Sequence, residues 1–154
     1  MKKLTILTGI TFILVIGLQW SVQAQNNNCV GPYIALGSNA EDIITSDLIK
    51  DCYTYALDTV NDGIRTIMFF NKKFPKLLHY YKIKNDNCFE QGDIYPDDLS
   101  PEVINSYSNS KLYIKVNTLQ YIFMGNDNIM PFMITIFRLN EKSICVKYEP
   151  YNPI

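Results

Sequence analysis

His79 is the chain's only histidine, so a Ser–His–Asp or Cys–His hydrolase would have to be built around it. It sits in "KLLHYYKIK" (76–84), where residues alternate between two faces and no nucleophile motif lies nearby. That setting implies a strand histidine packed against tyrosines. Four cysteines follow the first apolar run: Cys29, Cys52, Cys88 and Cys145. Their wide spacing contains no CxxC pair and no zinc-binding pattern. An even count in an exported chain implies two disulfides, with three pairings open. Proximity favours Cys29–Cys52, which leaves Cys88–Cys145 to join two strands. Asp93, Asp97, Asp98 and Glu102 form an acidic stretch interrupted by Pro96 and Pro101, without the closely spaced oxygens that calcium requires. A solvated loop is the expectation. No two carboxylates are marked as glycosidase partners. The residues therefore assign no catalytic group, cofactor or metal, and point away from an enzyme.

The ends of the chain bear on where such a protein would work. Met1-Lys2-Lys3 is basic, "LTILTGITFILVIGL" (4–18) is apolar, and Val22 and Ala24 place small side chains where a signal peptidase reads them. Residues 1–24 are expected to be a signal peptide and 25–154 a single secreted domain. A retained membrane anchor is the competing reading, but spanning takes about 20 apolar residues and this run is shorter. Loss of Lys2 and Lys3 moves the formal charge from −1 to −3. The Lys72-Lys73 dipeptide alone offers little to a polyanion, which argues against nucleic acid as a partner. An extracellular protein is the expected partner, with no membrane involved after cleavage.

Ser38 or Asn39 is a good helix N-cap, followed by Glu41 and Asp42. Ile44, Leu48, Cys52, Ala56 and Val60 then recur every four residues, which predicts an amphipathic helix ending near Asn61-Asp62-Gly63. Beyond Pro75 the period becomes two. Strands are expected at 76–84, 111–124 (one long strand or two short ones), 131–139 and 144–148, with 85–110 as a loop. The expected fold class is α+β, an N-terminal amphipathic helix packed on a small antiparallel sheet. The alternative makes Asn-Asp-Gly a hairpin turn between "CYTYALDTV" and "IRTIMFF". It yields an all-β small barrel, calycin-like, carrying an apolar ligand.

Aromatic residues crowd the second half, and core packing does not absorb all of them. Tyr113, Tyr121, Phe123, Gly125 and Asn126 are the candidate binding surface, because exposed tyrosine-rich patches are what protein-binding sites use. The order helix, long strand, hairpin, strand resembles the cystatin-type fold, and "LQYIFMGNDN" (119–128) is similar to that family's Q-x-V-x-G inhibitory hairpin. Gly125 stands one residue late, and the family's later Pro-Trp wedge is absent. The resemblance implies inhibition of a cysteine protease through the Gly125 turn. The residues themselves favour a small secreted binding protein without catalysis, such as a salivary, venom or parasite effector.

Overall fold

The structure, a computed structural model, describes residues 34–126 and 128–152. The expected signal peptide and Cys29 lie outside the described residues. Two short helices, α1 (Ala40–Thr45) and α2 (Asp47–Cys52), lead into a four-strand meander: β1 (Tyr53–Asn61), β2 (Ile64–Asn71), β3 (Leu78–Lys84) and β4 (Asn87–Pro96). A 3-10 turn (Asp97–Leu99) and α3 (Ser100–Ser108) lead into a second meander: β5 (Ile114–Asn117), β6 (Gln120–Phe123), β7 (Phe132–Asn140) and β8 (Ser143–Pro150). The meanders join through their last strands, giving one antiparallel sheet in the order β1-β2-β3-β4-β8-β7-β6-β5.

The expected α+β arrangement is overturned, because the long helix does not form. Ser46, with ψ near 138°, interrupts the periodic segment, and its side chain instead accepts the Ile49 amide to start α2. From Tyr53 onward the β-branched and aromatic residues of "YTYALDTVN" take the strand conformation. Ala56 and Val60, placed on the buried stripe by the four-residue spacing, are exposed, whereas Cys52 of that stripe is buried, together with Ile43 and Ile49. Asp62 and Gly63, both at positive φ, form the turn that reverses β1 into β2. The barrel of the alternative reading is not formed either. The sheet is open, with β1 and β5 at its two edges.

The two-disulfide framework is also overturned: Cys88 and Cys145 are free, buried thiols. Cys145 stands opposite Ile94, six positions along β4 from Cys88, about 20 Å away at the rise of a strand. A disulfide needs Cα atoms within roughly 7 Å. The Cys29–Cys52 pairing depends on Cys29, outside the described residues.

The loop expected over 85–110 contains the longest strand, β4, and helix α3. Asn85 and Asp86, both at positive φ, make the turn that lets β4 return along β3. The core then follows from register. Ile67, Tyr81, Gln91, Tyr148, Ile134 and Tyr121 stand directly opposite one another across six strands, and each is wholly buried. The neighbouring row on the same face is Phe69, His79, Asp93, Val146 and Ile136. The start of the described chain lies against this face, where the Ala35 amide donates to Gln91 Oε1 at 2.6 Å.

Candidate functional site

The second row places the chain's single histidine beside a carboxylate. His79 and Asp93 are directly opposite on β3 and β4, and the imidazole Nδ1 and the Asp93 carboxyl group are hydrogen-bonded to each other. The other Asp93 oxygen accepts the Tyr148 hydroxyl at 3.0 Å, and the Tyr148 and Tyr107 hydroxyls meet at 2.5 Å. Tyr107 comes from α3, so this chain of polar contacts ties that helix to the sheet. His79 lies between aromatic rings: Tyr53 stacks on it at 5.2 Å and Tyr81 meets it edge-on at 5.0 Å.

Burial is what shifts the surrounding hydroxyls. It pushes the Tyr53 phenol up to about 12, with the Asp93 charge adding to the effect and Asn71 opposing it. Tyr95, Tyr107 and Tyr148 are raised further, again by burial first, with Asp93 among the contributors. Ionising any of these phenols would put a second negative charge near the carboxylate in a dry interior.

An imidazole oriented by a carboxylate at Nδ1 is the arrangement used by catalytic bases and metal-ligating histidines. His79 Nε2 has no hydrogen-bond partner among the described residues. The residue is nevertheless wholly buried, with the Tyr53 ring stacked on it and the Tyr81 ring edge-on. Among the described residues, no three His, Cys, Asp or Glu side chains are grouped to hold a metal. The dyad works as a polar anchor of the core. It fixes the β3–β4 pair against β8 and, through Tyr107, against α3.

The surface is organised differently from the sequence expectation. Tyr121 is wholly buried, its hydroxyl donating to the Thr118 carbonyl, so it leaves the candidate binding patch. Tyr113 and Phe123 are half-buried against each other, 6.3 Å apart. Gly125, at φ 84°, and exposed Asn126 open the connection from β6 to β7, and the Asn126 amide closes onto the Ile129 carbonyl. Asp93, expected in a solvated loop, is buried, and Asp97 pairs with Arg138.

Exposed apolar side chains lie at both edges of the sheet, with Leu112, Ile114 and Val116 at the β5 edge 69%, 54% and 54% exposed. On the edge strand β1, Tyr55, Leu57 and Val60 are 51%, 44% and 71% exposed, and Phe70 and Phe74 stand nearby with more than 40% exposure each. An open cavity of about 470 Å³ adjoins this edge, lined by Thr54, Phe70, Asn71, Lys72 and Pro75. The helix reading of 40–60 hides this surface, whereas the alternative, with Asn-Asp-Gly as a hairpin turn between "CYTYALDTV" and "IRTIMFF", contains the β1–β2 pair that forms.

Compared with protein-family models, with curated proteins and with solved structures, the chain matches none.

Proposed function

We propose that this is a non-catalytic binding protein that engages a partner protein along the β1 edge of its sheet. The observation that carries the reading is the nine-residue edge strand with exposed Tyr55, Leu57 and Val60 and the adjacent Phe70 and Phe74. Apolar side chains grouped on an unpaired edge are costly in water unless something covers them. The chain's best catalytic candidate, His79, is sealed in the core and offers substrate no access. The inward face of the sheet is filled by Tyr81, Gln91, Tyr148 and Tyr121, which disfavours a carrier of an enclosed ligand.

The basic and apolar start of the chain directs the search to extracellular fluid. The test is to capture a partner on the immobilised chain, purify it, and measure its affinity for the wild type and for the Leu57→Lys/Val60→Lys variant. Binding should fall at least about 10-fold in the variant, while Ile114→Lys on the opposite edge leaves it unchanged. Affinity indifferent to the β1 substitutions would overturn the reading.

A further inference from the structure

The two edges of the sheet differ in how they are guarded. Natural edge strands are kept from pairing with other chains by shortness, by lysine or proline, and by bulges. β5 has these devices: it is four residues long, carries Lys115, and is bulged at Val116. β1 is nine residues long and contains no lysine, proline or glycine. Its bulge at Ala56 leaves Leu57–Asn61 as a regular run. The one charge on β1, Asp58, is held by Arg65 through three short nitrogen–oxygen contacts of 2.6–3.2 Å, which lowers its pKa. The edge is therefore electrically quiet as well as long.

At the Tyr53 end the edge meets a corner where Lys72 and Lys73 join Lys50, which shares helix α2 with exposed Asp47 and Asp51. Lys50, Lys72 and Lys73 are all exposed, and none is in an ion pair among the described residues. Lys72 Nζ donates to the Lys50 carbonyl at 2.6 Å, which brings these residues together, and Lys73 Nζ lies 5.5 Å from the Phe74 ring centre. The open cavity lined by Thr54, Phe70, Lys72 and Pro75 lies between this corner and the edge. Thr54 and Phe70 are directly opposite each other on the ladder, on the face that carries the cavity.

Resting on the reading of β1 as the binding edge, we infer that its partner is an extended peptide segment that adds as a strand to β1. The segment places a bulky apolar side chain in the Thr54–Phe70 cavity and a carboxylate beside Lys72 and Lys73. Strand addition takes affinity from main-chain hydrogen bonds and specificity from pockets that receive alternate side chains. Charge selects this occupant over a second copy of the chain. A second β1 would bring Asp58, already bound to Arg65, and at its turn end Asp62, so that at most one further carboxylate would face Lys50, Lys72 and Lys73.

The probes are three short synthetic peptides in which threonine alternates with valine and the sequence closes on Phe-Glu-Glu, Phe-Lys-Lys or Ala-Glu-Glu. Titrated against the full chain, the Phe-Glu-Glu peptide should bind about 10-fold more tightly than either control at low salt. Its advantage over the lysine peptide should shrink as salt is added. Its binding should slow amide exchange in Leu57–Asn61, and Lys72→Glu/Lys73→Glu should reverse the charge preference. Equal affinity for the acidic and basic peptides, protection located away from β1, or no binding of any peptide at about 1 mM overturns the inference. So does a concentration-dependent dimer abolished by Leu57→Lys. If a purified partner is lost by Leu57→Lys/Val60→Lys while the peptides show no charge preference, the binding function stands and strand addition beside Lys72 and Lys73 falls.

Discussion

His79 and Asp93 stand directly opposite each other on β3 and β4, and their hydrogen bond is completely enclosed by the core. Removing one partner of such a pair strands the other in a dry environment, at a cost of about 3–5 kcal/mol. His79→Phe and Asp93→Asn should each lower the free energy of urea unfolding by about that much. The double variant His79→Phe/Asp93→Leu should recover part of the loss, because no buried charge remains. Single substitutions costing under about 1 kcal/mol would show that the pair is not the anchor described above.

The buried phenols make alkaline stability a second measurable consequence. Tyr53 is raised to about 12, and Tyr107 and Tyr148 are raised beyond it, mainly by burial. Their protonated state is favoured by folding, so the contribution is fully present below pH 10, where unfolded tyrosine also keeps its proton. It is lost as pH rises from 10 toward and beyond the folded values, since the unfolded chain then binds fewer protons. Each such tyrosine should lower stability by about 1.4 kcal/mol per pH unit in that range. Absorbance at the tyrosinate band should accordingly rise in two stages, the second coincident with loss of near-ultraviolet circular dichroism. Smooth titration of all 11 tyrosines without unfolding would contradict the burial described.

How much of this was legible in the sequence depends on where the deciding interactions lie. β3 was readable, because Leu77, His79, Tyr81 and Ile83 alternate with more exposed neighbours except at Tyr80, and all four are buried. β7 and β8 were readable for the same reason. β4 was not: Glu90, Gln91 and Asp93 look like loop residues beside Gly92. They are tolerable in a strand because Gln91 receives the Ala35 amide and Asp93 is hydrogen-bonded to His79 and Tyr148. These partners are distant in sequence, so no local pattern announces them. The segment 40–60 failed differently. A four-residue spacing of apolar side chains fits a helix, but Ser46 capped a new turn and "YTYALDTV" paired with β2. The exposed β1 edge is hidden by the helix reading, whereas the packing of His79 among tyrosines is expected from its neighbours.

Cys88 and Cys145 give a third test. Burial raises their thiols to about 12 and about 11 respectively, so neither forms appreciable thiolate near neutrality. A maleimide reagent should leave both unlabelled in the native protein and label both after unfolding in denaturant, with the sites located by peptide mass spectrometry. A non-reducing digest that joined Cys88 to Cys145 would refute the strand separation that keeps them apart.

Gly92 provides the sharpest packing test. It lies in β4 between Gln91 and Asp93, opposite Tyr80 on β3 and Lys147 on β8. An added Cβ would stand 2.6 Å from the Tyr80 ring and 2.7 Å from the Val146 carbonyl oxygen. Real side chains do not tolerate either distance. The ring is itself held, with its hydroxyl 3.1 Å from Glu90 and 3.7 Å from Cys145 Sγ, so it cannot swing away freely. Gly92→Ala should therefore cost about 1–3 kcal/mol, although alanine is otherwise harmless in a strand. Adding Tyr80→Ala removes the ring but leaves the Val146 carbonyl, so the two changes should couple without full rescue. A double-mutant cycle measured by denaturant unfolding separates the contributions. If Gly92→Ala is neutral, the close approach of Tyr80 and β8 to this point of β4 is wrong. If the double variant is no worse than Tyr80→Ala alone, the Val146 contact gives way easily and the ring is the whole obstacle.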